Sequence, residues 1–196
     1  MTHLLGLTGS IGMGKSTTAK MFQSHGVPVW DADAAVHRLY QLGGAAVQPI
    51  ANVYPNAIED GSVSRHKLKD IIASDPRALT KIENIVHPLV AQDRETFKTN
   101  HKNPLMVFDI PLLFETGADA WLSSVLVVTV PAAVQKARVL ARPGMTDVQF
   151  DTILARQMPD AEKRTRADHV IETMNLDHTA AAVRDLIDEL TRSQNA

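Results

Sequence analysis

The sequence predicts a doubly wound α/β fold, a mostly parallel sheet covered by helices on both faces. Three observations carry that reading. Short apolar runs alternate with helical stretches along most of the chain. Val125-Leu126-Val127-Val128-Thr129-Val130 is apolar on both faces and rich in β-branched residues, as a buried parallel strand must be. Gly9-Ser10-Ile11-Gly12-Met13-Gly14-Lys15-Ser16 matches G-x-x-x-x-G-K-[ST], a loop that belongs between a strand and a helix.

Taken in order, His3 to Thr8 is the first strand and Lys15 to Ser24 the first helix, closed by Gly26. Val27-Pro28-Val29-Trp30 reads as a second strand ending at Asp31-Ala32-Asp33, followed by a helix through Tyr40 that Gly43-Gly44 stops. From about 45 to 101 no strand is convincing, and the block reads as a helical insertion over the sheet. Within it, Asp60-Gly61 marks a turn, and Ser64 stands where it can cap a helix from Arg65 to Ile72. Asp75-Pro76 opens another helix, with Pro where its missing N–H costs nothing. Pro88 is expected to break or kink that helix. Leu105 to Asp109 is a compact apolar strand that ends in an acid. A helix over Pro131 to Ala141 follows the Val125 strand, Pro143-Gly144 interrupts, and a polar helical stretch reaches Gln157. Asp168 to Glu172 is a weaker strand, and Asp177 is placed to cap a closing helix through Leu190.

The glycines of the 9–16 loop let backbone N–H groups turn inward, and the helix N-terminus behind them adds partial positive charge. That implies a bound nucleoside triphosphate. Gly12, Met13, Gly14, Lys15, Ser16 and Thr17 are the candidate contacts, with Lys15 on the β- and γ-phosphates and the Ser16 hydroxyl on Mg²⁺. Ligands of such a sheet sit at the carboxyl ends of its strands, so the acids at Asp31, Asp33 and Asp109 matter. Mg²⁺ keeps several waters, and one carboxylate near Ser16 suffices; Asp109 and Asp31 both qualify. Another carboxylate suits the proton of an attacking substrate hydroxyl. Asp31 also reads as a helix N-cap and Asp109 as a turn acid.

Arg138, Arg142, Arg156, Lys163, Arg164 and Arg166 form a later basic cluster. Arg138 and Arg142 are four apart on one helix face, so both reach one anion. Pro143-Gly144 beside them suggests a hinge, with an arginine presented from a mobile segment; the plainer reading is a solvated helix face. With no Cys and no His-Glu-x-x-His spacing, the histidines do not suggest a metal centre. His37 and His87 are candidates for substrate phosphates or a purine, and His66 for the surface.

At 196 residues the chain is about one domain, or one core domain with insertions. The absence of Cys excludes a disulfide framework and a thiol nucleophile, and suits a reducing compartment. A net charge of -2 gives no sign of general nucleic-acid affinity. No apolar run approaches the ~20 residues that span a bilayer. The first strand leads straight into the phosphate loop, unlike a signal peptide. A cytoplasmic protein with no membrane or nucleic-acid partner is expected.

Leu5 to Ser16, Asp31-Ala32-Asp33 with His37, and Ile85-Val86-His87-Pro88-Leu89-Val90 resemble dephospho-coenzyme A kinases. So do Asp109-Ile110-Pro111-Leu112-Leu113-Phe114-Glu115, Arg138 with Arg142, Arg156-Gln157-Met158-Pro159 and Lys163-Arg164, in that order. The resemblance runs from residue 4 to about 172. It implies transfer of the γ-phosphoryl of ATP to the 3′-hydroxyl of dephospho-CoA, with Mg²⁺ and with ATP as co-substrate. It also implies a nucleotide-binding core over 1–33 and 102–196, a CoA-binding helical insertion at about 34–101, and a lid at about 142–158. By motif position Asp33 is the base, Lys15 and Arg142 stabilise phosphate charge, and Arg138 contacts ATP. His87 and the wall Leu112, Leu113 and Phe114 contact the acceptor. Ser64, Ala73 and Glu172-Thr173 depart from the family pattern. The first two bear on CoA docking and the third on the adenine-side loop.

A nucleoside or nucleotide kinase of the same fold is the alternative, with the Asp109 to Glu115 run against it. A guanine-nucleotide switch would carry Asn-Lys-x-Asp, which is absent, and a motor-type ATPase a second acid where Ile110 stands. Oligomeric state is not encoded in any of these motifs.

Overall fold

The computed structural model describes residues 2–192. In chain order its elements are β1 (His3–Thr8), α1 (Lys15–Ser24), β2 (Val29–Asp31), α2 (Ala32–Tyr40), α3 (Val47–Val53), β3 (Ile58–Glu59), β4 (Ser62–Val63), α4 (Arg65–Ser74) and α5 (Ala78–Asn100). They continue with β5 (Leu105–Asp109), β6 (Ser124–Thr129), α6 (Ala132–Leu140), α7 (Asp147–Leu154), α8 (Asp160–Arg166), β7 (His169–Glu172) and α9 (Leu176–Arg192). They fall into two compact units, one formed by the chain up to Trp30 with the chain from Lys102 onward, the other by Asp31–His101.

The first unit is built on a five-stranded sheet of order β2-β5-β1-β6-β7. β1 lies parallel to β5 on one side and to β6 on the other, with Leu5 opposite both Val107 and Ser124. β7 runs parallel to β6 at the far edge. β5 and β6 are buried at every residue, which is why they read as continuous apolar runs rather than alternating ones. One face packs Leu5, Leu7, Val107, Leu126 and Val128 against Phe22 of α1 and Val183, Leu186 and Leu190 of α9. Burying a side chain the size of Phe22 contributes about 2–3 kcal/mol. Phe108 sits edge-on to Trp121, with ring centroids 5.0 Å apart, and Trp30 lies 6.0 Å away.

The Asp31–His101 unit has its own core of Leu39, Tyr40, Ile50, Leu68, Ile82 and Val86 with their neighbours. It contains a two-stranded antiparallel hairpin, β3-β4, where the sequence suggests no strand. The turn is Asp60-Gly61, both residues left-handed at φ 48° and 74°, the backbone a two-residue hairpin requires. Each strand is two residues long, too short for an alternating pattern to be legible.

Pro88 does not end its helix. α5 runs unbroken from Ala78 to Asn100 with Pro88 inside. Ile82 and Val86 on one side of the proline, and Leu89 and Val90 on the other, pack into the same core. That burial outweighs the single backbone hydrogen bond the proline removes. The same helix starts later than Asp75-Pro76 suggests: the Asp75 carboxylate accepts from Arg77 N–H at 2.9 Å, and that turn precedes Ala78. α9 is capped by Asn175 rather than Asp177, since the Asn175 amide oxygen accepts from the Asp177 and His178 N–H groups at 2.8 and 3.2 Å. Ser64 occupies the N-cap position of α4, but its hydroxyl makes no capping bond. Among the described residues no helix is long and apolar enough to cross a membrane.

Candidate active site

β1 ends at Thr8 and the chain enters α1 at Lys15 through a loop whose turns need glycine at two positions. Gly12 and Gly14 adopt φ 81° and 88°. A Cβ on Gly12 would lie 2.5 Å from Val139 Cγ2, and one on Gly14 would lie 2.7 Å from Thr173 Oγ1. Both glycines therefore provide conformation and close approach together. Met13, between them, is 2% exposed, and its sulfur accepts from Val130 N–H at 3.2 Å. Its side chain is an anchor in the core, and its N–H donates to Ser10 O at 3.2 Å, so Met13 fixes the shape of the loop. Ser16 and Thr17 stand exposed in the first turn of α1, while Thr18 is fully buried and donates to Gly14 O at 3.2 Å.

Lys15 and Asp109 form an ion pair. Asp109 ends β5 opposite Leu7 of β1 and is 3% exposed, so the lysine supplies the charge partner that burial demands. Beyond it, Ile110 N–H donates to Leu7 O at 3.0 Å and Thr8 Oγ1 to Pro111 O at 3.1 Å. These bonds tie the end of β1 to the loop after β5.

A pocket of about 240 Å³ opens beside the loop, with Gly12, Gly14, Thr17, Arg138, Arg142 and Thr173 in its wall. Arg138 and Arg142 thus face one space, but not from one helix face: α6 ends at Leu140 with Ala141 as its C-cap, and Arg142 reaches the pocket from the bend that follows. Arg138 donates to Thr173 O at 2.8 Å and to its hydroxyl at 3.3 Å. The Thr173 hydroxyl in turn donates to Met13 O at 2.7 Å. Thr173, legible in the sequence only as a departure from a family pattern, is a pin between the phosphate loop and Arg138.

The segment from 142 to 158 contains α7, opened by a reciprocal capping box between Thr146 and Gln149. Gly144 at its start has φ 76°. Two glutamines flank it. Gln135 on α6, 4% exposed, donates to Ile11 O at 2.8 Å. The Gln157 side-chain oxygen accepts from Ile11 N–H at 3.0 Å. Gln135 had a readable signal, a polar residue on the same helix face as buried Val139. Gln157 had none beyond its place in a motif.

The other basic residues divide. Lys163 is fully buried and meets Glu115 at 2.8 Å. Arg166 pairs with Asp119 at 3.0 Å and covers the Phe114 ring at 4.5 Å, and Arg164 pairs with Asp160 at 3.1 Å. These three brace α8 instead of facing the pocket. Burial pushes the Glu115 carboxyl up, but the Lys163 ammonium beside it and the Met158 N–H, which donates to it at 2.8 Å, together hold it below its ordinary value. In the 112–114 stretch, Leu113 is fully buried and Phe114 5% exposed, while Leu112 is 39% exposed and has surface to offer.

In the Asp31–His101 unit, Asp31 is the N-cap of α2, its carboxylate accepting from Ala34 N–H at 2.9 Å. Asp33 follows in the first turn with an exposed side chain. His37 shares a hydrogen bond with Gln41 at 3.1 Å, and His87 is exposed on α5. No cluster of three or more His, Cys, Asp or Glu that could hold a metal occurs among the described residues.

Residues 3–178 match the protein family described as dephospho-CoA kinase. Dephospho-CoA kinase of Ruegeria pomeroyi is 57% identical over 190 residues, covering 97% of this chain and 96% of its own. That of Cereibacter sphaeroides is 55% identical over 192 residues, 98% of each chain. Among solved structures, TT1252 from Thermus thermophilus superposes with a TM-score of 0.85 at 34% identity, covering 97% of this chain and 98% of that one.

Proposed function

The chain belongs to the dephospho-CoA kinase family, and we propose that it transfers the γ-phosphoryl group of ATP to the 3′-hydroxyl of dephospho-CoA. The products are CoA and ADP, and the reaction is the last step of coenzyme A biosynthesis, in the cytoplasm. The observation that carries this reading is the left-handed loop at Gly12 and Gly14, with Lys15 behind it and a pocket walled by Arg138 and Arg142 beside it.

ATP lies with its phosphates on the N–H groups of Gly12 and of Gly14 to Thr17. Lys15 exchanges the Asp109 carboxylate for phosphate oxygens, a like-for-like replacement of one anion by another. The Asp109 carboxylate and the Ser16 hydroxyl are oxygen donors of the kind Mg²⁺ takes, and two such ligands fit an ion that keeps most of its waters. Mg²⁺, when bound, neutralises charge on the phosphate oxygens. Asp33 accepts the proton of the 3′-hydroxyl as the new O–P bond forms and the bond to the ADP oxygen breaks. Asp31 already performs the capping work of α2, which leaves Asp33 available for chemistry. Arg142 stabilises the charge that develops on the transferred group. Arg138 lies on the ATP side; His87 and Leu112 serve the acceptor, while Leu113 and Phe114 are buried and support Leu112 from behind instead of meeting the substrate. Segment 142–158 is the lid that keeps water from the phosphates.

The test is an acceptor screen with Mg²⁺ and ATP: dephospho-CoA against nucleosides and nucleoside monophosphates. CoA formed with phosphate on the 3′-oxygen is the expected product. Preferential phosphorylation of a nucleoside or nucleotide overturns the assignment.

A further inference from the structure

The helix that leads into the lid segment and the far end of the segment are both tied to one residue of the phosphate loop. Gln135, on the helix that leads into the segment, donates to the Ile11 carbonyl at 2.8 Å, and Gln157, where the segment ends, accepts from the Ile11 N–H at 3.0 Å. The Ile11 peptide groups are thus held from two sides by side chains 22 positions apart in sequence. Neither bond belongs to a helix or sheet ladder, so neither is needed to satisfy regular structure. The exit end is held further. Met158 N–H donates to Glu115 at 2.8 Å, and Thr129 Oγ1 donates to Asp160 at 2.8 Å. On the entry side Gln135 is 4% exposed on α6, whereas between the two glutamines α7 exposes most of its surface and buries Phe150. A segment fixed at its far end and through the helix that leads into it, and exposed in the middle, moves about those two roots.

We propose that Gln135 and Gln157 are positioning residues that couple the phosphate loop to the 142–158 segment through Ile11. Phosphate binding orders the loop around Gly12 and Gly14. Ile11, next in the chain, carries that ordering to both glutamines and so to both roots of the segment. Arg142, seven residues beyond Gln135, is delivered to the phosphates by the same movement. The inference rests on the phosphotransfer reading above for its consequence in turnover, but not for the coupling itself.

The experiment uses full-length Gln135→Leu, Gln157→Leu and the double variant, with Gln157→Met as a second isosteric replacement. Hydrogen exchange is measured with and without Mg²⁺ and ATP, with no acceptor present. In the wild type, ATP slows exchange over 142–156; in each single variant that protection is lost while protection at the phosphate loop persists. Unchanged ATP protection of 142–156 in the variants overturns the proposal. Turnover with acceptor gives a second reading. Each single variant should lose about five- to tenfold in kcat, the scale of one neutral hydrogen bond, with ATP hydrolysed per transfer rising. Because both act through one residue, the double variant should lose less than the product of the single losses; independent, multiplying losses reject the coupling. If the wild type fails to phosphorylate dephospho-CoA, the assigned reaction fails, and the exchange result still decides the coupling.

Discussion

Glu115, on the loop after β5, holds the ammonium of Lys163 on α8 at 2.8 Å, and Lys163 has no exposed surface. The same carboxylate takes the Met158 N–H. One acid therefore fixes both the end of the lid segment and the helix that follows it. A buried cation without its partner is costly, so Glu115 is the member of the pair whose loss the fold feels most.

Glu115→Gln keeps the shape and removes the charge. Breaking a fully buried pair costs about 3–5 kcal/mol, and the partial exposure of Glu115 brings the expected loss to about 2 kcal/mol. The carboxyl is held below its ordinary value in the folded chain, so its stabilisation is complete above the unfolded value of about 4.3 and is lost as pH falls through the lower folded value. Urea titrations should show a constant gap between wild type and variant from about pH 6 to 8, closing below about pH 4. A gap that persists undiminished at the acid end contradicts the pairing.

Lys15→Ala removes a contact to oxygens whose charge shifts during transfer. Turnover should fall by roughly 3–4 kcal/mol, or about two to three decades, with nucleotide affinity reduced less. Asp109 is then left buried without its ammonium partner, so melting temperature should fall as well. Near-normal turnover would show that Lys15 does not reach the phosphates.

Thr173→Val preserves volume and deletes the hydroxyl that donates to Met13 O and accepts from Arg138. The expected outcome is a five- to tenfold rise in KM for ATP, about the worth of a neutral hydrogen bond, with KM for the acceptor unmoved. Steady-state kinetics with each substrate varied in turn decides it. An equal rise for both substrates would point to a general loosening instead.

Asp33→Asn keeps the shape at the start of α2 but cannot take a proton. Binding of both substrates should survive, and turnover should drop by about 10²–10⁴. A loose transition state needs little early proton transfer and would place the loss at the lower end. If Asp33 instead orders Mg²⁺, activity should return at saturating metal. Turnover measured against Mg²⁺ separates the roles, and full activity at ordinary Mg²⁺ rejects both.

Local chemistry determined a large part of this protein. β1, α1 and β5 lie where their residues place them, because an apolar run against a glycine loop or a strand-ending acid is a contrast between sequence neighbours. The phosphate loop was legible for the same reason: its function needs backbone conformations that Gly12 and Gly14 alone supply, and a lysine at fixed distance along the chain. Arg138 and Arg142 were legible as a pair facing one pocket, although only Arg138 lies on α6 and Arg142 enters from the bend after it.

Tertiary structure decided what depends on partners far away in sequence. Pro88 reads locally as a break, yet burial on either side of it carries α5 through. Lys163 belongs to a run that reads as a charged surface, but the fold buries it against an acid 48 residues earlier. Gln135, Gln157 and Thr173 hold the phosphate loop through bonds spanning 124 to 160 residues. Periodicity and capping are properties of neighbours along the chain and can be read there; a polar side chain's choice of partner is made only when packing brings the two together and removes the water that would otherwise serve either one.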